Sequence, residues 1–446
     1  MRKTVLLFAL LALAIPARAQ YKEPDDDKPA QRYANMPDEA VPYRRFTKPY
    51  YDWFIRTDTV AYNGAAEKRP DGDLSKLSEV AIGFFAPIEN NPESIFGIPE
   101  LHGAQLAIEE ANARGGYHGK PYSLKLHNES ALWGASSTEL VKMLFNENCW
   151  AMLGCVDGQN CHIALRVTLK LEVPIVDVGT TDRTVTETRI QWLLHNFPDD
   201  RQQGYTLADY VFKKLKLKRI GVLRTQTRYA RIGVGEFNDE ARRMGRQPIL
   251  EVKFERGDKD FTRQLNMLKN AKIEGVIIWG EAAEAGLILK QMRALGMNQP
   301  VFGGSRLAYP RLLEIAGPAA DGMVMTTTLD PTRQDAKWLA FRETYRKRFN
   351  EEPIDYAAYA YDGMNILTSA IEKAGLNRGR IMAVLRDYQM KTYEGVTGKA
   401  FFDYTLNNIS PVYMARVKDG KFEYWLAPRQ GGHEGAASTS GGRGGQ

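Results

Sequence analysis

Polar residues that can bind a small anion follow the short apolar runs of this 446-residue chain. Gly158, Gln159 and Asn160 come after one such run, and Thr180 and Thr181 come after the next. Backbone N–H groups at the start of a helix, together with nearby hydroxyls, can hold a carboxylate or another anion. The alternative is that Thr181 and Asp182 are only helix N-caps, and one such loop alone would leave this alternative favoured.

Signatures of catalysis are missing from the sequence. It contains no G-x-S-x-G elbow, no G-x-x-x-x-G-K-[ST] phosphate loop and no H-E-x-x-H zinc motif. Its histidines are scattered, and His195 ends an apolar run, where a structural role is favoured over that of a general base. We therefore expect no catalytic residues, no metal site and no cofactor, and the protein is predicted not to be an enzyme.

The elements that must position these loops are short strands and amphipathic helices. Apolar runs without alternating polarity are typical of strands buried on both faces of a parallel sheet; they lie at 80–85, 150–153, 174–178, 220–223, 275–279 and 323–326. Apolar residues recur at helical spacing between them, as in Phe261, Leu265 and Leu268. This alternation predicts a doubly wound α/β fold, and its length predicts two lobes.

The first 19 residues have the pattern of a cleavable signal peptide. A basic start precedes an apolar run at 5–15 and a small-x-small site at Ala17–Ala19, and no lipid-anchoring cysteine follows. No later segment reaches the about 18 apolar residues of a membrane helix, so we expect an exported protein that is not embedded in a membrane. Removing Arg2, Lys3 and Arg18 lowers the formal net charge from +6 to +3, too little to favour nucleic acid as a partner.

The two ends of the mature chain differ from its centre in composition. Residues 20–77 form an extension that is rich in proline and, at 43–54, in aromatic residues. We favour packing of this aromatic stretch on the chain's own body over a partner surface. Residues 427–446 are glycine-rich and predict a flexible tail.

The only cysteines are Cys149, Cys155 and Cys161. A disulfide between Cys155 and Cys161 is sterically open, because these residues flank a predicted strand-to-helix turn. Buried free thiols are the favoured interpretation.

Several motifs together resemble those of one protein family. The stretches VAIGFFAP at 80–87 and HGAQLAIEEANARGG at 102–116 are similar to the opening of the periplasmic branched-chain amino-acid-binding (Leu/Ile/Val-binding) proteins, with His102 replacing a family Asn. Further similarity lies in GDKDF at 257–261, MRALG at 292–296 and IAGPAADGM at 315–323. These proteins are type I substrate-binding proteins of ABC transporters, and the resemblance runs from about residue 78 to about residue 426.

The resemblance implies the periplasmic binding protein type I fold, in which three hinge crossovers join two Rossmann-like doubly wound lobes. We expect the crossovers near 196–199, 327–331 and 398–403. Lobe 1 would then comprise 78–197 and 329–400, and lobe 2 would comprise 198–328 and 401–426.

The resemblance also implies positions for the ligand-binding residues of the first lobe. Phe96 falls where the family places an aromatic ring over the ligand side chain. Gly158 falls where a serine binds the ligand carboxylate, so that only the backbone donor remains, with Gln159 or Asn160 as substitutes. Thr181, preceded by Thr180, matches a threonine that contacts both carboxylate and amine.

The second lobe departs further from the family pattern. Tyr229 matches a cleft tyrosine, but Glu281 replaces an aromatic residue. Ser305 replaces the acidic partner of the ligand ammonium, and Arg306 follows it. A lost hydrogen bond to a charged group costs on the order of 1.5–3 kcal/mol, and both ends of an α-amino acid lose a partner here. We therefore expect leucine, isoleucine and valine to be poor ligands.

The function predicted from this pattern is that of an exported, periplasmic solute-binding protein. It would capture a small polar metabolite or an amino-acid-like ligand between two lobes and deliver it to an ABC permease in the membrane. The alternative is a two-lobed periplasmic ligand sensor that docks on a receptor or enzyme complex.

Overall fold

The computed structural model of this chain describes residues 65–130, 133–188, 190–403 and 405–427. The predicted signal peptide, the aromatic stretch at 43–54 and nearly all of the glycine-rich tail lie outside these residues. Among the helices of the described residues, none combines the length and the apolarity that crossing a membrane requires.

Two large sheets organise the described part of the chain. The first is wholly parallel, in the order β2-β1-β3-β4-β5, with the strands β1 Val80–Ala86, β2 Tyr122–Asn128, β3 Ala151–Gly154, β4 Ile175–Asp177 and β5 Leu193–His195. The second has the order β14-β13-β10-β9-β8-β6-β7. Its strands are β6 Ile220–Thr225, β7 Leu250–Phe254, β8 Gly275–Trp279, β9 Val301–Gly303, β10 Val324–Thr327, β13 Tyr413–Lys418 and β14 Lys421–Leu426. β11 Thr392–Gly395 and β12 Gly398–Phe401 form a separate antiparallel pair.

Helices follow most of the parallel strands, as expected for a doubly wound fold. They are α1 Ser94–Ala113, α2 Trp133–Val141, α3 Gly158–Leu171, α4 Thr184–Glu187, α5 Asp200–Ala208, α6 Arg228–Arg243, α7 Thr262–Asn270, α8 Ala282–Ala294, α9 Pro310–Ala316, α10 Ala336–Phe349, α11 Asp355–Ala374 and α12 Arg378–Arg386. Side chains cap several of them, including Asp157 at α3 and Asp199, which forms a capping box with Gln202 at α5. Each such cap typically contributes about 1 kcal/mol.

The first sheet is covered on both faces, because all seven residues of β1 are buried. Val80, Ile82 and Phe84 pack into a core that includes residues of α1 and α11. Ala81 and Phe85, which point the other way, pack into a core that includes residues of α3. Burial on both faces explains why the strand reads as an unbroken apolar run, and the predicted α/β class is confirmed.

The chain passes from one sheet to the other three times. It leaves the first sheet after β5, returns after β10 through α10 and α11, and leaves again after β12 to form β13 and β14. Buried polar side chains from two of these passages form hydrogen bonds with each other. The His195 ring lies 2.6 Å from the Asn407 amide oxygen, and Asn407 donates to Asp199 over 2.9 Å. We call the part of the chain packed on the first sheet the first half, and the remainder the second half.

The described end of the extension packs on α12. Asn377 donates to the carbonyl of Arg69 over 2.9 Å, and Gly72 donates its N–H to the carbonyl of Leu376 over 2.8 Å. All three cysteines are buried free thiols, in agreement with the favoured interpretation.

A glycine substitution at a close contact between α1 and α11 tests the packing of the first half. A Cβ atom at Gly103 would lie 2.0 Å from the carbonyl oxygen of Ala357, so Gly103→Ala should destabilise the protein by about 1–3 kcal/mol. Gly235, inside α6, has nothing within 4 Å of the same position, and Gly235→Ala should stabilise it by up to about 1 kcal/mol. Urea unfolding of both variants measures the difference, and equal effects would contradict the contact.

Candidate functional site

A buried arginine lies where the two halves meet. Only 2% of Arg306 is exposed, and its guanidinium carbon lies 4.6 Å from the ring centre of Phe96 and 4.3 Å from that of Tyr229. Its Nε donates to the hydroxyl of Tyr356 over 3.2 Å. We call Phe96, Tyr229 and Tyr356 the aromatic box. Such ring faces attract cations.

Two glutamates and a second arginine complete the surroundings of Arg306. Arg306 Nη1 lies 3.0 Å from Glu93 Oε1 and 3.1 Å from Glu281 Oε1. Arg256 Nη2 lies 2.7 Å and 3.1 Å from the same two oxygens. These four side chains, the charge quartet, carry two positive and two negative charges. Burial by itself would raise the pKa of Glu93, but the guanidinium groups of Arg306 and Arg256 hold it below its usual range.

Both glutamates occupy equivalent positions in the fold. Glu93 is the N-cap residue of α1 and Glu281 is that of α8, yet neither side chain caps its own helix. Each carboxylate instead faces the arginines, at a helix start where the macrodipole favours negative charge. Burial nevertheless raises the pKa of Glu281, although the arginines oppose this effect.

The charge quartet and the aromatic box draw on both halves. Glu93, Phe96 and Tyr356 come from α1 and α11 of the first half, whereas the other members follow strands of the second sheet. Tyr229 lies in the first turn of α6 after β6, and Arg306 lies in a 3₁₀ turn after β9. In open α/β sheets such positions, beyond the carboxyl ends of the strands, are where ligands bind.

The amide groups at the start of α3 already have acceptors within the protein. The buried carboxylate of Glu129 accepts from the N–H of Val156 over 3.0 Å and from that of Asp157 over 2.9 Å. The Asp157 side chain accepts from the N–H of Gln159 over 2.9 Å and from that of Asn160 over 3.1 Å. Side chains of the protein thus accept from four of these amides, whereas the N–H of Gly158 has no acceptor among the described residues.

The remaining predicted residues of the first half also contact protein groups. A Cβ atom at Gly158 would lie 2.5 Å from an oxygen of Asp182. The Thr181 hydroxyl donates to Asp200 over 2.9 Å, and the Thr180 hydroxyl accepts from the N–H of Asp182 over 3.3 Å. Asp182 in turn is ion-paired with an arginine at the start of α6 in the second half.

The structure therefore divides the sequence-predicted residues into two groups. It brings Phe96, Tyr229, Glu281 and Arg306 together, and Ser305 lies next to Arg306 with its N–H donating to Gln203 over 3.1 Å. The other predicted residues have their contacts around α3 and α5: Gly158, Gln159, Asn160, Thr180 and Thr181.

Sequence reasoning missed several participants. Glu93 stands in the polar loop after β1 and could have been singled out as a helix-start acid. Arg256 and Tyr356 have no motif around them, and their role depends on contacts with residues far away in the sequence. Glu129 likewise gave no local signal.

Three buried carboxylates in this region keep oxygen atoms without a hydrogen-bond partner among the described residues. They are Glu100, with both oxygens unpartnered, Asp200 through Oδ1 and Glu281 through Oε2. Neither Glu100 nor Asp200 is measurably exposed, and 8% of Glu281 is exposed. Burial raises the pKa of both Glu100 and Asp200 well above the ordinary range.

Comparison with known proteins places this geometry in context. The family model for periplasmic binding proteins matches residues 79–421. A Leu/Ile/Val-binding protein homolog 2 from Brucella abortus is 25% identical over 356 residues, which are 79% of this chain and 94% of that protein.

Solved structures show the same similarity. The leucine-binding protein LivK from Thermotoga maritima superposes with a TM-score of 0.70 at 25% identity, covering 78% of this chain and 97% of that one. The branched-chain amino acid transporter substrate-binding protein LivJ from Streptococcus pneumoniae, in complex with isoleucine, gives a TM-score of 0.71 at 26% identity, covering 78% and 99%. The two-lobed type I periplasmic binding fold expected from the sequence is thereby confirmed.

Removing one acid of the charge quartet tests how much the buried ion pairs contribute to the stability of the fold. Glu93→Gln leaves two arginines with one carboxylate, and breaking a buried ion pair in this way typically costs about 3–5 kcal/mol. We expect a loss of that order in the free energy of unfolding, measured with urea. The control is Glu314→Gln, because Glu314 pairs with Arg311 while 58% of its side chain is exposed, and exposed pairs contribute about 0–1 kcal/mol. Equal losses of unfolding free energy in the two variants would show that the buried ion pairs of the quartet contribute no more to stability than an exposed pair does.

The unpartnered carboxylate of Glu100 predicts a pH dependence. A pKa raised in the folded state means that the folded protein holds this proton more tightly than the unfolded chain does. Stability of the wild type therefore falls as pH rises above the ordinary glutamate value of about 4.3. Glu100→Gln removes this contribution, so its stability relative to the wild type should rise between about pH 5 and about pH 8. Urea midpoints at both pH values measure this, and a constant difference would mean that Glu100 does not titrate anomalously.

Proposed function

The chain belongs to the family of periplasmic binding proteins, and on this premise we propose that its two halves close on a small-molecule ligand for an ABC importer. The observation that carries the proposal is the meeting of the charge quartet and the aromatic box between the halves. A ligand bound there contacts both halves at once. Such contacts exist only in the closed form, and a ligand shifts the equilibrium towards the form that it binds more tightly.

The proposed lobes follow the two sheets. Lobe 1 would comprise 78–197 and 329–400, which include β1 to β5 and the returning helices α10, α11 and α12. Lobe 2 would comprise 198–328 and 401–426, which include the seven strands of the second sheet. The buried hydrogen bonds around His195 and Asn407 support hinge crossovers at these boundaries.

The partner is proposed from the relatives. Proteins similar to this chain are substrate-binding components of transporters, and we propose a membrane permease as the partner that recognises the closed form. We also propose a periplasmic location, for which the signal-peptide pattern of the first 19 residues is the support. The chain would bind and release its ligand without chemical change.

Leucine does not suit this site on physical grounds, although the relatives are named for it. Glu129 and Asp157 engage the amide groups of residues 156, 157, 159 and 160, and position 305 carries a serine in place of an acidic residue. We propose that the ligand differs from the branched-chain amino acids.

Distance measurements between the halves test closure. Spin labels at Lys170→Cys and Arg242→Cys, both exposed and on opposite halves, should report a changed distance when a ligand binds. The three native thiols are buried and should remain unlabelled. A ligand at about 100 times its Kd should also raise stability by about 2.7 kcal/mol. The control pair, Arg242→Cys with Lys290→Cys, lies within the second half and should keep its distance.

The compounds offered should include amino acids, aliphatic amines and aromatic acids. We expect at least one compound class to change the distance and the stability together, and leucine to change neither. Tight closure on leucine would refute the proposed specificity. If no compound altered either quantity, the proposal of a solute-binding role would be refuted.

A further inference from the structure

We propose, on the basis of the solute-binding role inferred above, that the ligand is a small organic cation whose guanidinium or amino group takes the place of the Arg306 guanidinium in the aromatic box. The cation that already fills this box belongs to the protein itself. Its contacts therefore show which chemistry the box accommodates.

The walls of the box suit a positive charge. The guanidinium carbon of Arg306 lies 4.6 Å and 4.3 Å from two ring centres, and the third ring, Tyr356, stacks on Phe96 with 4.7 Å between centres. Two carboxylate oxygens, from Glu93 and Glu281, lie 3.0 Å and 3.1 Å from its Nη1. Aromatic faces combined with carboxylates are the usual surroundings of a bound organic cation.

Unpartnered acids stand next to the box. A Cβ atom at Gly179 would lie 2.8 Å from Glu100 Oε2 and 3.2 Å from a ring carbon of Tyr356, so Glu100 and Tyr356 are neighbours. Asp200, with Oδ1 unpartnered, lies close enough to Tyr229 to act on its hydroxyl electrostatically. The free Oε2 of Glu281 belongs to the quartet itself. An amine with several N–H donors can satisfy such oxygens.

The local balance of charge points the same way. The charge quartet is neutral only while a second cation besides Arg256 stands beside its two carboxylates. A neutral or anionic group in place of the Arg306 guanidinium would leave Glu93 and Glu281 with a single arginine. A ligand cation keeps the balance of charge.

Arg306 then competes with the ligand for the aromatic box, and the bound ligand displaces it. When it leaves the box, Arg256 can still pair with Glu93 and Glu281, over 2.7 Å and 3.1 Å. The two glutamates would thus keep one partner while the ligand supplies the other. Removing the side chain of Arg306 should consequently strengthen the binding of a cation.

Calorimetric titration of the full-length mature protein tests this with agmatine, putrescine, leucine and benzoate as probes. We expect the wild type to bind agmatine or putrescine, and to bind neither leucine nor benzoate. Arg306→Ala should bind agmatine about tenfold or more tightly than the wild type, equivalent to about 1.4 kcal/mol. The control Arg311→Ala removes an arginine whose side chain is 64% exposed. It should bind agmatine with the affinity of the wild type.

Two further measurements keep the inference testable if Arg306→Ala folds poorly. Methylguanidinium should restore the thermal stability of Arg306→Ala but leave the thermal stability of Arg311→Ala unchanged. Glu281→Gln, in which Arg306 is intact, should weaken agmatine binding about tenfold or more.

The outcomes separate this inference from the proposed function. Binding of leucine or benzoate with closure, and no binding of the amines, would overturn the cation inference and leave the solute-binding role standing. Equal agmatine affinity of the wild type and Arg306→Ala would overturn the displacement of Arg306. Absence of closure with every compound class would overturn the solute-binding role itself.

Discussion

A guanidinium that is removed from water needs opposite charge and hydrogen-bond acceptors around it, and for Arg306 these come from both halves of the chain. Glu93 and Tyr356 belong to the first half, whereas Glu281 and Tyr229 belong to the second. Separating the halves would leave each with incomplete surroundings for its buried charges. The requirement to pair one side chain therefore constrains the relative position of two large sheets.

The parallel strands of the two sheets supply these partners, because the carboxyl ends of parallel strands lie on the same side of a sheet. The loops after β1, β6, β7, β8 and β9 all contribute a member of the charge quartet or the aromatic box. Glu93 and Glu281 stand at the starts of helices that belong to different sheets, and the dipoles of both helices favour the carboxylates there. This placement offsets part of the cost of burying the acids.

Much of the fold could be predicted from the sequence because strands buried on both faces leave unbroken apolar runs. The run at 275–279 coincides with β8, and that at 80–85 is extended only by Ala86. β9 has only three residues, and the outer strands β7, β13 and β14 have exposed positions along their length, so these four strands gave no such signal.

The site was only partly predictable, because its pairings span long distances in sequence. Phe96, Tyr229, Glu281 and Arg306 were reached through resemblance to a family whose scaffold this chain shares. The resemblance said nothing about their mutual contacts: Glu93 is separated from Arg306 by 213 positions, and Arg256 from Glu93 by 163. Such pairs have no local pattern from which they could be inferred.

The start of α3 shows why a shared scaffold does not fix the chemistry of the ligand. Each N–H group at a helix start donates in one main direction, and a carboxylate of the protein satisfies it as well as a carboxylate of a ligand does. Once Glu129 and Asp157 occupy the amides of residues 156, 157, 159 and 160, the helix keeps its fold and has only the N–H of Gly158 left for an acid. The groups that remain to recognise a ligand are then those that the protein has not paired. Around Arg306 they include oxygens of Glu100, Asp200 and Glu281 as well as Arg256 Nε, and the faces of the aromatic box attract positive charge.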